Sequence, residues 1–574
     1  MTPRVWAPAA GLVELSTQAG RRPMTRQDGG WWALSADLPQ GTDYAFVLDG
    51  QGPFPDPRSP WQPAGVHGPS RVVDHAAFAW TDAGWQPPPL QGGVVYELHV
   101  GTFTPDGTFD AAIEHLPDLV ALGVTHVEVM PVAAFPGVHG WGYDGVHPWA
   151  VHEPYGGPRG LERLVDACHA RGLAVLLDVV YNHLGPDGNY LARFGPYFTD
   201  RHHTPWGKAV NLDGAGSDEV RRYIVDNACM WLRDYHLDGL RLDAVHALLD
   251  TSAVHVLEQL TDEVAALSAR LGRHLTLVAE SDQNDPRLLH SPEAGGYGLP
   301  AQWSDDLHHA LHAALTGERT GYYEDFGRLE DVARALEETF VYAGVFSPHR
   351  ERTHGRPPTG LPGWRFVSFL QNHDQVGNRA RGDRLGHTLA PDRLKVGAAL
   401  LLAAPFTPLL FQGEEWAASA PFPYFCDHLD PGLAAAVRDG RRREFAAFGW
   451  RPEDVPDPQD PATFQAAKLD RGERARSPHR EVLAWYRDLL RLRRERPDLR
   501  DGRPGATRVR FDEAAGWLVV ERPATTLAVN LGATIARVPL GRGESRALLT
   551  SRAAGVEASD GGVLLPPDTA AFLA

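Results

Sequence analysis

The segment Gly239-Leu-Arg-Leu-Asp-Ala244 decides the fold, because it is a short apolar run that ends on an acid. The same arrangement occurs in Leu277-Val-Ala-Glu280 and at Gln371-Asn-His-Asp374, where an acid again follows an apolar run. Each run is typical of a buried strand, and each acid lies where that strand would pass into a loop or helix. Acids at the ends of several buried strands indicate a site for acid/base and nucleophilic chemistry.

Apolar runs and amphipathic segments alternate through the centre of the chain. Buried strands are predicted at residues 94–100, 125–130, 173–180, 239–242, 275–279, 366–370 and 409–411, with a weaker strand near 301–303. Helices are predicted between them, for example at 110–122, 160–171 and 218–235, and a last helix at 481–494. Continuous apolar strands separated by helices are typical of a parallel sheet covered by helices. The number of strands favours an α/β fold of the closed (β/α)8 TIM-barrel type over an open doubly wound sheet.

The two ends of the chain are predicted to form separate β-domains. Short β-like runs at 12–16, 31–34 and 44–48, separated by turn sequences, indicate an N-terminal β-sandwich over residues 1–90. The Pro-rich stretch 85–90 is interpreted as a linker to a catalytic barrel over 91–502. Strands predicted at 507–511, 517–521, 526–530 and 536–540 then indicate a C-terminal β-domain over 503–574.

Composition excludes several classes of function. The chain has 574 residues and a formal net charge of -18, and only three of its basic residues are lysines. An acidic protein would not displace the counterions that surround the phosphates of a nucleic acid, so no nucleic-acid partner is expected. No apolar run is long enough to span a membrane and the N-terminus has no secretory pattern, so we expect no membrane partner and predict a cytoplasmic location. No Gly-x-Gly-x-x-Gly turn follows the first barrel strand, and no Gly-Lys-Ser/Thr loop occurs, so the usual marks of nucleotide binding are missing.

Polar residues follow four of the predicted strands, and the C-terminal strand ends of such a barrel face one common pocket. Because Arg241 and Asp243 are two residues apart on a strand, their side chains point the same way, which lets the arginine stabilise the charged form of the acid. Taken alone, an acid such as Asp178 is more often a helix cap than a catalyst. The full set of strand-end residues is Asp178, Asn182, His183, Arg241, Asp243, Glu280, His373 and Asp374.

Four segments, 177–183, 239–244, 277–280 and 371–374, resemble in this order the four signature regions of the α-amylase superfamily of glycoside hydrolases. The resemblance implies that Asp243 is the nucleophile that forms a covalent glycosyl-enzyme. It implies that Glu280 is the general acid/base and that Asp374 helps to distort and stabilise the oxocarbenium-like sugar. Retention of configuration needs the first two carboxyl groups roughly 5 Å apart, one ionised and one protonated.

The same resemblance assigns substrate-binding residues. His183, His373 and Arg241 match positions that bind sugar hydroxyls or orient the nucleophile. Tyr143 matches the aromatic residue on which the reacting glucose stacks, and Trp141 is grouped with it. Both aromatic residues are also compatible with simple packing in the core.

No metal and no cofactor are expected. Calcium-dependent α-amylases carry Lys-His at the third and fourth positions after the nucleophile, whereas this chain has His246 and Ala247 there. The calcium-binding histidine is therefore missing, and His246 is instead grouped with the substrate-binding residues. Cys168, Cys229 and Cys426 are too few and too far apart for a disulfide framework or a zinc site, so they are expected to be buried free thiols.

The loops beside the acids are similar to those of a narrower family within the superfamily, the maltooligosyltrehalose trehalohydrolases. The similarity lies in residues 182–190, 206–213, 280–285, 372–378 and 413–416. It implies hydrolysis of the α-1,4 bond next to a terminal trehalose, so the expected partners are maltooligosyltrehalose and α-1,4-glucan oligosaccharides. Asp282, Gln283, Asp285 and Gln375 are polar loop residues that we expect to hydrogen-bond the trehalose end.

Two other functions compete with this interpretation. A glycogen branching enzyme has a similar N-terminal domain and a similar segment at 303–309, but usually lacks the Asp-Gln-x-Gly-Asn run found here at 374–378. A glycan-binding protein with a catalytically dead barrel is less consistent with the chain, because all three acids, both histidines and Arg241 are present. The preferred glucan length, the oligomeric state and any glucan binding by the N-terminal domain are left open by the sequence.

Overall fold

A computed structural model describes residues 2–446, 450–541, 546–552, 554–559 and 561–574 of the chain. Its centre is a closed barrel of eight parallel strands, so the predicted TIM-barrel fold is confirmed. All eight predicted strands are present, including the weak one near 301–303. In chain order the barrel strands are Val95–Leu98, His126–Val129, Ala174–Val179, Gly239–Leu242, Thr276–Ala279, Ala301–Trp303, Phe366–Phe369 and Thr407–Phe411.

Burial and register explain why these runs become barrel strands. Every residue of all eight strands is buried, as expected for a sheet whose outer face is covered by helices and whose inner face fills the barrel. The register of the third and fourth strands sets Asp178 directly beside Arg241. The register of the first and second strands sets Glu97 beside Glu128. Polar residues therefore enter the barrel at defined heights, beneath the end where the strand-end acids lie.

Helices cover the barrel and connect its strands. The prediction of a single helix over residues 110–122 is wrong. Residues 110–122 do not form one helix, because Pro117 lacks the N–H that an uninterrupted helix would need and its ring would clash with a carbonyl of the preceding turn. Two helices result, and Pro117 lies in the first turn of the second. The α-helices are Val100–Phe103, Phe109–Ile113, Leu116–Leu122, Gly157–His169, Leu191–Phe194, Ser217–Asp234, Val256–Leu271, Asp306–Thr316, Leu329–Glu338, His373–Gly377, Leu385–Thr388, Pro391–Ala403, Pro431–Ala446, Pro461–Ala466 and His479–Glu495.

Short hairpins extend from the barrel loops on the side of the strand-end acids. They pair Ala133–Ala134 with His147–Val151, Phe198–Thr204 with Gly207–Val210, and Val345–Ser347 with Arg352–His354. The second and third hairpins carry Trp206 and Arg350 in their turns. Trp206 lines a cavity at this end of the barrel, and Arg350 donates to Asp282, which lines the same cavity.

The N-terminal part consists of antiparallel sheets that rest on the barrel. The indole of Trp6 meets the ring of Tyr197 edge-on at 5.5 Å, and Arg58 Nη1 donates to Asp226 Oδ2 over 2.9 Å. These contacts join the first sheets to a barrel loop and a barrel helix. The strands are Arg4–Trp6, Val13–Thr17, Gly20–Pro23, Thr25–Arg26, Trp31–Ala33, Asp43–Leu48, Gln51–Phe54 and Ser70–Arg71.

The Pro-rich segment at 85–90 connects these sheets to the barrel and packs against the barrel as it does so. Trp85 Nε1 donates to Asp238 Oδ1 over 2.9 Å, and the indole stacks on the ring of His169 at 4.5 Å. Just before it, Asp82 Oδ2 lies 2.9 Å from His169 Nδ1 and 2.8 Å from His236 Nδ1. The connection is therefore anchored on polar side chains at the end of the barrel opposite the strand-end acids.

The C-terminal part forms a five-stranded and a three-stranded antiparallel sheet. Strands occur at all four predicted places, and four further strands follow them. Arg393 Nε donates to Asp568 Oδ1 over 2.7 Å and so joins a barrel helix to the last part of the chain. The strands are Arg508–Asp512, Trp517–Glu521, Thr526–Asn530, Ala536–Pro539, Ala547–Thr550, Glu557–Ser559, Gly562–Leu565 and Thr569–Leu573.

The expected burial of the cysteines is found for two of the three. Cys168 and Cys426 are buried free thiols, whereas Cys229 is a free thiol that is only half-buried, so the expectation of burial is wrong for Cys229. That residue lies on the long helix Ser217–Asp234, near the edge of its buried face.

Among the helices in the described part of the chain, none combines the length and the apolar composition that crossing a lipid bilayer requires.

Replacing Trp85 by alanine should destabilise the protein by about 2 kcal/mol, because it removes a stacked ring and leaves the buried Asp238 without one of its donors. The measurement is the free energy of unfolding from urea denaturation followed by tryptophan fluorescence. Gln86→Ala is the matched control, since the neighbouring side chain is exposed and should change stability by less than about 0.5 kcal/mol. Equal unfolding midpoints for the two variants would show that the connection contributes nothing.

Candidate active site

A cavity of about 490 Å³ opens at the C-terminal ends of the barrel strands, where such barrels carry their active sites. The three acids singled out from the sequence, Asp243, Glu280 and Asp374, all line it. The structure therefore brings together side chains that lie up to 131 positions apart in the chain. The other lining residues are Trp141, Tyr143, Asp144, His183, Trp206, Ala244, His246, Asp282, His373, Asn378, Tyr424 and Arg441.

Arg241 lies beneath this cavity and contacts the acids on both sides of it. Its guanidinium is fully buried and lies 4.4 Å from the centre of the Trp303 ring. Nη1 donates to Asp243 Oδ1 over 2.7 Å and to both carboxylate oxygens of Asp178 over 3.0 and 2.9 Å. Nη2 lies 3.7 Å from Glu280 Oε2. One fixed cation thus orients the Asp243 carboxylate and ties three neighbouring strands together at the floor of the cavity.

Asp243 is held at both carboxylate oxygens. Arg241 binds Oδ1, and Asn182 Nδ2 donates to Oδ2 over 3.0 Å. The next residue, Ala244, has a φ of 38°, a left-handed conformation that is uncommon for a residue with a side chain. This backbone turn directs the Ala244 N–H toward Glu280 Oε2, 2.6 Å away. The strand end therefore positions one acid directly and the second acid through a backbone hydrogen bond.

Glu280 lies in an environment that favours its neutral form. Burial raises the pKa of Glu280 to about 8, and the nearby carboxylates of Asp243 and Asp374 act in the same direction, while Arg241 opposes them. The carboxyl is therefore protonated at neutral pH. Two acids beside one cavity, one held by an arginine and an amide and the other protonated, can act as a nucleophile and a proton donor.

Asp374 lies in the first turn of the short helix His373–Gly377 and faces the open part of the cavity. Its Oδ1 accepts from Asn378 Nδ2 over 3.2 Å, and its Oδ2 lies 3.4 Å from His373 Nε2. The side chain remains 41% exposed, unlike that of His373, which is 1% exposed. The third acid is therefore accessible to a ligand from the cavity.

Tyr143 and His373 form one wall of the cavity. Their rings stack with centres 5.1 Å apart, and the Tyr143 hydroxyl lies 2.8 Å from His373 Nε2. The same hydroxyl donates to Asp178 Oδ2 over 2.5 Å. Asp178 is therefore an acceptor for Arg241 and Tyr143 and not a helix cap. The half-buried phenol ring is available for stacking against a sugar.

Trp141 and His183 contribute less surface to the cavity. Trp141 is 4% exposed, stacks on Phe422 at 5.3 Å and donates from Nε1 to a backbone carbonyl, so most of its side chain packs in the core. His183 Nε2 lies 3.0 Å from the Tyr143 carbonyl oxygen, and its ring stacks on Trp206 at 5.1 Å. Trp206 is 48% exposed and thus presents its other face to solvent.

His246 and the four polar residues expected at the trehalose end do not all lie at the catalytic cavity. His246 and Asp282 line the cavity, and Asp282 Oδ2 accepts from Arg350 Nη1 over 3.0 Å. Asp285 lies instead in a neighbouring cavity of about 350 Å³, where its carboxylate is occupied by Arg287.

Gln283 and Gln375 also lie outside the catalytic cavity. Gln283 lines the neighbouring cavity with Asp285. The side chain of Asn372 caps the short helix, and its Oδ1 accepts the backbone N–H of Gln375 over 2.8 Å. Gln375 is not among the residues that line the catalytic cavity. The structure therefore brings His246 and Asp282, but not these other residues, to the three acids.

Sequence reasoning did not assign several residues that the structure places at the site. Asn182 was noted only as a strand-end residue, and Trp206 only as part of a similar segment. Tyr424 and Arg441 come from a long connection after the last barrel strand, where no motif marks them. The place of Trp206 at the start of the similar segment 206–213 was the available signal, because cavity walls built by distant loops leave no local pattern.

The described residues contain no group of three or more His, Cys, Asp and Glu side chains that could hold a metal ion. At the position where a calcium-binding histidine would lie, the chain has Ala247, which is buried in a short 3-10 turn. That side chain has no atom that could coordinate a cation.

Comparisons with known proteins agree with this geometry. Residues 76–204 match the family model of the alpha amylase catalytic domain, and residues 502–572 match a domain of unknown function, DUF3459. The chain is 54% identical to the malto-oligosyltrehalose trehalohydrolase of Arthrobacter ramosus over 92% of each chain. It is 51% identical to the enzyme of that name from Mycobacterium tuberculosis, over 94% of this chain and 93% of the other.

Solved structures show the same relationship. The crystal structure of a candidate alpha amylase from Salmonella typhimurium superposes with a TM-score of 0.91 and 40% identity, covering 100% of this chain and 97% of the other. Agreement in sequence and in structure extends over nearly the whole length of the chain, well beyond the signature segments. The protein therefore belongs to the malto-oligosyltrehalose trehalohydrolase family of α-amylase-type glycoside hydrolases.

Proposed function

We propose that this enzyme hydrolyses the α-1,4-glucosidic bond next to the terminal trehalose of maltooligosyltrehalose, releasing trehalose and a maltooligosaccharide. The observation that carries the proposal is the pair of acids around Arg241, with Asp243 fixed by charge-assisted hydrogen bonds and Glu280 neutral at the same cavity. The names of relatives more than 50% identical over nearly the whole chain support the choice of substrate.

The arrangement supports a retaining mechanism in two steps. In the first, an Asp243 oxygen attacks the anomeric carbon while Glu280 gives its proton to the leaving glycosidic oxygen, so the C–O bond breaks as the glycosyl–enzyme ester forms. In the second, the Glu280 carboxylate takes a proton from water, and the hydroxide attacks the same carbon and releases Asp243. Asp374, open to the cavity, stabilises the positive charge that develops on the sugar ring in both steps.

The cavity also carries groups suited to an oligosaccharide. The half-buried ring of Tyr143 and the exposed face of Trp206 are aromatic surfaces of the kind that sugars stack on, and His183 contacts both residues, through the Tyr143 carbonyl oxygen and the Trp206 ring. His246 and Asp282 supply polar atoms near the position where a leaving group would sit beyond Glu280. We assign recognition of the trehalose end to this polar side of the cavity.

Product analysis tests the proposal most directly. Incubation with maltotriosyltrehalose should release free trehalose and maltotriose, whereas maltopentaose should be cleaved much more slowly, with products resolved by anion-exchange chromatography. Asp243→Asn is the control, because it keeps the side-chain shape but loses the nucleophile and should lower kcat by at least about 10³-fold while sugar binding persists. New α-1,6 linkages in amylose would instead identify a branching enzyme, and sugar binding without any cleavage by the wild type would identify a glycan-binding protein.

The pH dependence of the reaction should report the state of Glu280. Because the proton donor is competent only while protonated and its pKa is about 8, kcat/KM should fall above pH 8, approaching tenfold per pH unit. Initial rates with maltotriosyltrehalose between pH 5 and 10 provide the measurement. A maltosyl fluoride, whose leaving group needs no proton, should lack this alkaline limb. An alkaline limb of equal position for both substrates would show that another group causes it.

Discrimination between substrates should depend on Asp282 more than on Asp285. Asp282→Asn should lower the ratio of kcat/KM for maltotriosyltrehalose to that for maltopentaose by about tenfold, since one charged hydrogen-bond partner is lost in the cavity. Asp285→Asn should change the ratio by less than about threefold, because that carboxylate is already bound by Arg287 outside the cavity. A larger effect for Asp285 than for Asp282 would place the trehalose end in the neighbouring cavity.

A further inference from the structure

Glu97, on the first barrel strand, is a buried acid whose two oxygens are both directed at one residue of the active site. Its side chain is 1% exposed, as is that of His373. Glu97 Oε1 lies 2.5 Å from His373 Nδ1, and Oε2 accepts the backbone N–H of His373 over 3.0 Å. This pair of contacts holds both the ring and the backbone at the start of the helix that carries Asp374.

The hydrogen-bond partners of His373 show which of its ring nitrogens carry a hydrogen. The single hydroxyl proton of Tyr143 is directed at Asp178, whose two oxygens also accept from Arg241. Burial raises the pKa of Asp178 to about 6, so it is a carboxylate, and therefore an acceptor, at neutral pH. The contact between Tyr143 and His373 Nε2, at 2.8 Å, then requires Nε2 to carry the hydrogen.

The other ring nitrogen needs a hydrogen as well. Nδ1 faces a carboxylate oxygen of Glu97, which is an acceptor. With a hydrogen on each nitrogen, His373 is an imidazolium. A histidine without such a carboxylate partner would be neutral in so buried a place, because burial disfavours the charged form.

The charges around His373 agree with this assignment. Burial alone would lower the pKa of His373, but Asp374 and Glu97 outweigh it and raise that pKa to about 9. Arg241 acts in the opposite direction. Among the described residues, Tyr143, Asp178, Glu128 and His99 also interact with the ring, and the aromatic rings of Trp141 and Trp303 pack near it. Asp374 and Glu97 thus outweigh both burial and the guanidinium at this position.

We propose that Glu97 is a positioning residue for the glycosidase reaction: it holds His373 as an imidazolium whose Nε2–H fixes Tyr143 and faces Asp374. The inference rests on the proposed function, since it concerns how the sugar-binding wall and the third acid are oriented. Because Glu97 and His373 form a neutral pair, they supply a strong donor without adding net positive charge next to a cationic transition state. Glu97 itself does not touch the cavity.

Kinetics and protonation test the proposal together. Glu97→Gln should lower kcat with maltotriosyltrehalose by roughly 10- to 100-fold, because a charge-assisted hydrogen bond is replaced by a neutral one, while KM changes less. In the background of His373→Gln the same change should cost less than about threefold, since Glu97 acts through that ring. In ¹⁵N spectra of histidine-labelled protein at pH 7.5, His373 should be doubly protonated in the wild type, and its pKa should fall by about two pH units in Glu97→Gln.

Glu128 supplies the matched control. It lies beside Glu97 on the next strand and is equally buried, but neither of its oxygens has a hydrogen-bond partner within the described residues. Glu128→Gln should therefore leave kcat within about threefold of the wild type and His373 protonated. Equal losses for the two variants, or additive losses in the double variant, would overturn the proposal.

The wild-type spectrum keeps the test independent of whether Glu97→Gln folds. A neutral His373 at pH 7.5 in the wild-type enzyme would overturn the proposal by itself. Failure of the proposed function would look different, because trehalose would not be released while His373 remained an imidazolium. The kinetic comparison would then be made with whichever α-glucan the wild type cleaves.

Discussion

The buried guanidinium of Arg241 is the interaction on which the rest of the site depends. It enters the barrel from the fourth strand, and the register with the third strand sets Asp178 beside it. Removing an arginine from such a place would leave carboxylates buried without a counter-charge, which is among the most expensive changes a protein core can suffer. The position of the nucleophile and the orientation of Asp178, which accepts from Tyr143, are both arranged around this one charge, whereas Glu280 is neutral in spite of it.

The different surroundings of Asp243 and Glu280 give these two carboxyl groups different roles. Asp243 receives hydrogen bonds from a cation and an amide, whereas Glu280 receives one backbone N–H and lies at the cavity beside two other carboxyl groups, Asp243 and Asp374. In general, hydrogen bonds to the ionised form lower the pKa of a carboxyl group, whereas burial raises it. The division of labour proposed for the enzyme follows from this difference.

A second layer of charges lies beneath the first and belongs to strands that carry none of the three acids. Glu97 reaches His373 from the first strand, and Asp178 reaches Tyr143 from the third. Closure of the barrel makes this possible, because it brings the first and the last strands side by side. At the opposite end of the barrel, Trp85 and Asp82 anchor the connection to the N-terminal sheets, so stability and chemistry are served by separate polar clusters.

The sequence by itself determined the barrel, the order of its strands and the three acids. Those features are local: an apolar run of fixed length followed by an acid is visible in a few consecutive residues, and its function depends on where strands end. The break in the helix predicted over residues 110–122 also has a local cause, since Pro117 interrupts it. The Pro-rich run that contains Trp85 predicts a connection from local sequence, but the packing of Trp85 on the barrel depends on residues far away in the chain.

Only the tertiary structure decided which polar residues share the cavity. Asp282 reaches it whereas Asp285, three positions later, turns away to Arg287, because a short 3-10 turn begins at that point. The pairing of Glu97 with His373 was equally hidden, since 276 positions separate them and only closure of the barrel makes them neighbours. Strand periodicity sets the face on which a side chain lies, but its partners are set by strand register and by loops that no local pattern describes.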